Sequence, residues 1–170
     1  MPFQSTVRFD QAFGVPGETL LDGPYRAEPG VIRSADPTMN VFGRGFSMDS
    51  ALPGVWRAGD PLTNAERYGV MTGPKQAVTA GTAAGGALAP TLTVRNEETQ
   101  QITTMGFVVG VTGNVTALVG NIVRIRRADG VLFTFPPNTA VDPLYADFGA
   151  TVVRVPQPNI GGLFVMQITQ

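Results

Sequence analysis

The stretch Gln101-Ile102-Thr103-Thr104-Met105-Gly106-Phe107-Val108-Val109-Gly110-Val111 is built from β-branched, aromatic and small side chains and contains neither proline nor charge. Such residues fit a pleated surface, so the stretch reads as a long strand. Residues 91–95, 115–127, 131–135, 151–155 and 163–169 are further strand candidates separated by turn residues, the spacing of a sandwich or barrel. Gly113-Asn114 and Asp129-Gly130 stand where tight hairpin turns are expected. The carboxyl half therefore predicts an all-β fold, an antiparallel β-sandwich or barrel. Two segments predict short helices. In residues 60–69 and again in 142–149, an aspartate cap is followed by proline at the first helical position and glycine past the end.

Upstream the pattern changes. Residues 3–10 alternate, with Phe3, Ser5, Val7 and Phe9 on one face and Gln4, Thr6, Arg8 and Asp10 on the other, which predicts a half-buried strand. From 11 to 37 the periodicity is broken by Gly14, Pro16, Gly17, Gly23, Pro24, Pro29, Gly30 and Pro37, and each proline removes a ladder donor. Phe13, Leu20, Leu21 and Tyr25 nevertheless give this segment more apolar surface than a solvated linker carries. It reads as an extended strap lying on its own domain or on a neighbouring subunit, with those four residues as interface anchors. Residues 1–37 are thus expected to form a strand and arm, and 38–170 a single β domain. Within 39–48, a second strand region, Gly43 and Gly45 mark a bulge or a close backbone approach. Residues 81–89 are small and featureless, a loop.

Composition argues against catalysis. The 170 residues include no histidine and no cysteine, which removes the readiest proton shuttle, the readiest nucleophile and the commonest soft or borderline metal ligands. The acids are scattered, and Glu97-Glu98, the one adjacent pair, would point to opposite faces of a strand. The glycine-rich run 81–86 lacks the lysine-serine or lysine-threonine ending of a phosphate loop. No enzyme activity, metal, cofactor or small-molecule substrate is expected. A net charge of −1 gives no long-range attraction to nucleic acid or anionic membrane, and neither is expected as a partner. No apolar run reaches the length of a membrane helix, and the opening residues lack a signal-peptide pattern, so synthesis in a cytoplasm is expected. Charged residues make up 15% of the chain, against about 25% in typical domains, which suggests that a partner covers part of the surface. Arg124, Arg126 and Arg127 form the one basic cluster; on a strand, Arg124 and Arg126 share a face, a solvated or interface row.

Met1-Pro2-Phe3-Gln4, Gly14-Val15-Pro16-Gly17-Glu18 and Asn40-Val41-Phe42-Gly43-Arg44-Gly45-Phe46, in this order and spacing, resemble the structural cement, or capsid decoration, proteins of tailed bacteriophages. One departure is that Ser47-Met48 follow Phe46 where similar proteins often place an aromatic, and Trp56 lies farther along. The resemblance implies a non-enzymatic, often jelly-roll-like protein on the outer surface of an icosahedral head. Such a protein would bridge major capsid subunits, assemble with itself as a trimer or dimer, and be made in the bacterial host cytoplasm. A carbohydrate- or receptor-binding β module of a phage tail or baseplate is the alternative, with Trp56, Tyr25, Tyr68 and Tyr145 as platform candidates; a hydrolase on a β scaffold would rest on the scattered acids alone.

Overall fold

The computed structural model describes residues 14–20, 23–59, 67–73, 93–114, 117–156 and 162–170. These residues form strands β1 (Thr19–Leu20), β2 (Arg26–Ile32), β3 (Gly45–Met48), β4 (Val55–Ala58), β5 (Tyr68–Thr72), β6 (Thr99–Val111), β7 (Ile122–Arg126), β8 (Leu132–Phe135), β9 (Tyr145–Arg154) and β10 (Leu163–Thr169), with a single 3-10 turn at Pro37–Met39. The fold is all-β. All strands join one sheet in the order β2-β4-β3-β5-β6-β10-β9-β7-β8, with β1 also on β6. Pairing between strands is antiparallel except between β2 and β4, where Val31 and Ile32 run parallel to Val55 and Trp56; the isolated bridge of Thr112 with Leu132 is parallel too.

The sheet curls back on itself twice. A second ladder from β2 to β6, running from Arg26 opposite Met105 to Val31 opposite Thr99, closes β2-β4-β3-β5-β6 into a circuit. Beyond β6, the run β10-β9-β7-β8 returns through the bridge between Leu132 and Thr112, where the Gly113 N–H donates to the Leu132 carbonyl at 2.8 Å. Long β6 serves both circuits, and closure leaves few free strand edges among the described residues. Each circuit has its own core. Ile32, Phe42, Phe46, Met48, Trp56, Ala58, Met71, Val94 and Ile102 fill the first. The second is packed by Val108, Val123, Ile125, Leu132, Phe148, Val152, Phe164, Met166 and Ile168, among others.

Pro29 lies inside β2, opposite Gln101, so residues 26–32 are part of the barrel and not of a separate arm. The parity of the ladder explains why proline is tolerated. The Ile32 N–H donates to Glu98 on the β6 side, whereas the N–H groups of Val31 and Arg33 donate to Gly54 and Trp56 on the other side. Pro29 has the parity of Val31, and its missing donor falls where β4 has not yet begun, so no ladder bond is lost.

The helix expected over 142–149 is a turn followed by strand β9. The Asp142 side chain accepts the Leu144 N–H at 2.8 Å and its carbonyl accepts the Tyr145 N–H at 2.9 Å, closing a turn. From there Ala146, Phe148 and Ala150 are buried while Asp147, Gly149 and Thr151 are exposed, a period of two that a helix cannot bury. The helix expected over 60–69 lies mostly outside the described residues, but Tyr68 and Gly69 belong to β5. Asp129-Gly130 does lie in the β7–β8 hairpin connection. Gly113-Asn114 does not make a hairpin; it caps the outer edge of β8, where Asn114 Nδ2 donates to the Thr134 carbonyl at 2.8 Å. Glu97-Glu98 sits in a turn, with Glu97 at φ 68° and bound to Arg33 through two hydrogen bonds.

Of the segments that carried the family resemblance, 14–18 and 40–46 meet in space, while Met1-Pro2-Phe3-Gln4 and the strand expected over 3–10 lie outside the described residues. The Gly17 and Gly43 backbones touch so closely that a Cβ on either would lie 2.9 Å from the other's amide nitrogen. Gly17 donates to the Val109 carbonyl at 2.8 Å, and Gly43 donates to Met71 at 2.9 Å. Phe42 and Phe46 point into the first core, and the buried Asn40 carboxamide donates to the Val94 carbonyl at 3.0 Å and to Asn96 at 2.9 Å. The strap 14–20 is therefore fastened to its own β6.

Candidate functional site

The face of β8-β7-β9 opposite the second core carries Arg124 and Arg126. Register places Arg124 between Phe133 and Asp147, and Arg126 beside Tyr145. Period-two alternation sends Val123 and Ile125 into the core and both arginines to the opposite side. The Arg126 guanidinium lies 5.1 Å from the Phe133 ring centre and the Arg124 guanidinium 5.1 Å from that of Phe135. Tyr145 stands edge-on to both rings, with centroids 5.2 and 5.0 Å away. Two cations thus lie over two phenylalanine rings, with Tyr145 edge-on to both rings, a stiff cluster.

The two arginines differ in access. Arg126 is 39% exposed and grips Asp129, with Nε donating to Oδ1 at 2.8 Å. Arg124 is 2% exposed, so it does not form part of a solvated or partner-facing row. Its terminal nitrogens donate to the carbonyls of Thr139 and Ala140, the second at 2.9 Å, and thereby hold residues 136–144 over the face. Of the arm anchors, Leu20 pairs with Phe107 in the β1–β6 ladder. The Tyr25 hydroxyl accepts the Gln101 side-chain N–H, also on β6. Both are half-buried against their own sheet. Phe13 and Leu21 lie outside the described residues. The most exposed large apolar side chains among the described residues sit at turn tips: Leu118, Val119, Val141 and Leu144 are 56–65% exposed. No pattern in the sequence distinguished these four from core residues.

Asp129 joins the two circuits. Its carboxylate holds Arg126, its carbonyl accepts from Arg44 at 3.3 Å, and next to it the Gly130 carbonyl accepts the Gly45 N–H at 2.8 Å. Burial works to raise its pKa, but the Arg126 hydrogen bond, the Val131 N–H and the charges of Arg126 and Arg44 outweigh burial and hold the carboxyl below its ordinary value. A lowered folded value means that the contribution is complete above the unfolded aspartate pKa, about 3.9, and is lost as pH falls through the folded value. Asp129→Asn should therefore lower the unfolding midpoint at neutral pH. The gap from the parent protein should narrow as pH drops below about 4, and a gap independent of pH would contradict this account.

Among the described residues no group of three or more acids is placed to hold a metal ion, and no helix is long and apolar enough to cross a membrane. No family model matches the sequence, and no curated protein matches it. The fold does match a solved chain from the capsid of Myoviridae phage XM1, with a TM-score of 0.63 at 12% identity, covering 100% of this chain and 99% of that one. The likeness is one of fold, and it extends from end to end.

Proposed function

We propose that this chain is a virion structural protein that binds the outer surface of an icosahedral phage head and bridges major capsid subunits. The supporting observation is the end-to-end fold likeness to a chain from a phage capsid. The physical character of the molecule suits the role. A sheet closed into two circuits about a shared strand is a rigid spacer, and the apolar turn tips are available for contact. In this reading the partners are the major capsid protein and further copies of the chain, as trimer or dimer, and no chemistry is performed.

Binding to heads assembled without the protein is the direct test. Titration should saturate at a fixed ratio to capsid subunits, whereas failure to bind, or binding to isolated tails or baseplates instead, would overturn the proposal. Stoichiometric bound metal after dialysis, or hydrolase turnover abolished by replacing one acid, would overturn its non-enzymatic part.

A further inference from the structure

Arg124 is one of the largest fully buried side chains, and its Nε has no hydrogen-bond partner. The nearest carboxylate, Asp147, lies 3.7 Å from that nitrogen, beyond hydrogen-bonding distance. The Asp147 ion pair, two main-chain carbonyls and the Phe135 ring compensate the buried cation, but an apolar residue of the same volume would stabilise the fold as well or better. What the arginine gains here is geometry, because both of its hydrogen bonds go to the main chain of one exposed loop, at Thr139 and Ala140.

The rest of that loop is restrained as well. Thr139 Oγ1 donates to the Pro136 carbonyl at 2.7 Å, Asp142 closes its turn onto Leu144, and prolines at 136, 137 and 143 fix backbone torsions. This fixed loop leaves Val141 56% and Leu144 65% exposed. A rigid loop holding two large apolar side chains in water gives up little conformational entropy on docking.

We infer that residues 136–144 are a preformed contact element that seats Val141 and Leu144 in an apolar pocket of the head lattice, with Arg124 as its positioning residue; this rests on the head-binding reading. The pocket needs no charge of its own. Asp142 is the only charged residue in 136–144, and its carboxylate already accepts the Leu144 N–H. A second copy of this chain is a poor occupant, because two aliphatic side chains fall far short of the roughly 800 Å² per partner that a stable pair needs. Contacts this small hold when many are made together on a repeating surface.

The test uses the full chain and heads assembled without it. The double variant V141S/L144S alters only exposed side chains, so the free protein should melt as the parent does. Half-occupancy of heads should require at least tenfold more protein. Parent binding should change little between low and high salt. The variant R124K keeps the charge and loses the planar fork; amide exchange in 139–144 should rise at least tenfold, with occupancy falling in parallel. If parent protein binds heads and V141S/L144S binds equally well, the inference is overturned while head binding stands. If parent protein does not bind, both fall. Concentration-dependent self-association of the parent that V141S/L144S abolishes would overturn it in favour of a second copy.

Discussion

Gly130→Ala is expected to remove about 4 kcal/mol or more of stability, placing it among the rare severe single substitutions. Gly130 has a φ of 77°, and a Cβ there would lie 2.3 Å from the Gly45 carbonyl oxygen and 2.8 Å from the Gly59 nitrogen. Neither neighbour is free to withdraw. The Gly45 carbonyl accepts the Gly59 N–H at 2.9 Å, and the Gly45 N–H is itself bound to Gly130 at 2.8 Å. The clash therefore strikes backbone that ties β3 to the β7–β8 hairpin. Gly54→Ala is the control, since Gly54 has a φ of 85° but nothing within 4 Å of an added Cβ. Left-handed backbone alone costs about 1–2 kcal/mol, so denaturant midpoints should separate the two variants clearly. Equal, small losses would show that the joint between the circuits is looser than described.

Trp56→Ala should cost about 3–5 kcal/mol, the range for emptying an indole-sized space. Trp56 is fully buried, pairs across the ladder with Met48, and fits so closely that a Cβ on Gly30 would lie 2.2 Å from its ring. It is the only tryptophan in the chain, so its emission reports the first core directly. Parent protein should emit at short wavelength until the barrel opens, and Trp56→Phe should recover much of the loss. Emission characteristic of water-exposed indole in the native protein would contradict a closed first circuit.

Where local pattern and tertiary position agree, the sequence is legible: β6, β8 and β10 coincide closely with apolar, β-branched runs bounded by turn residues. Trp56 is less so. It seemed too distant along the chain to stand in for an aromatic beside Phe46, yet the β3–β4 ladder brings it opposite Met48 and into the same core as Phe46. Pro29 argued against a strand because it lacks a donor, and only the ladder's parity shows that none was needed there. The aspartate-proline start at 142 is common to helices and turns, and the small, alternately buried residues after it decide for a strand. Arg124 shares a strand face with Arg126, which predicts a solvated or interface row; the carbonyl partners that bury it are 15 and 16 residues away and carry no sequence signature. Deleting 26–32 should therefore open the first circuit rather than remove an appendage.

The most direct measurement is electron cryomicroscopy of phage particles purified from cells that produce this chain. The account predicts density fitting the two-circuit barrel on the outer head surface, at junctions between capsid subunits. Density for the chain in the tail or baseplate, or its absence from the particle, would contradict it.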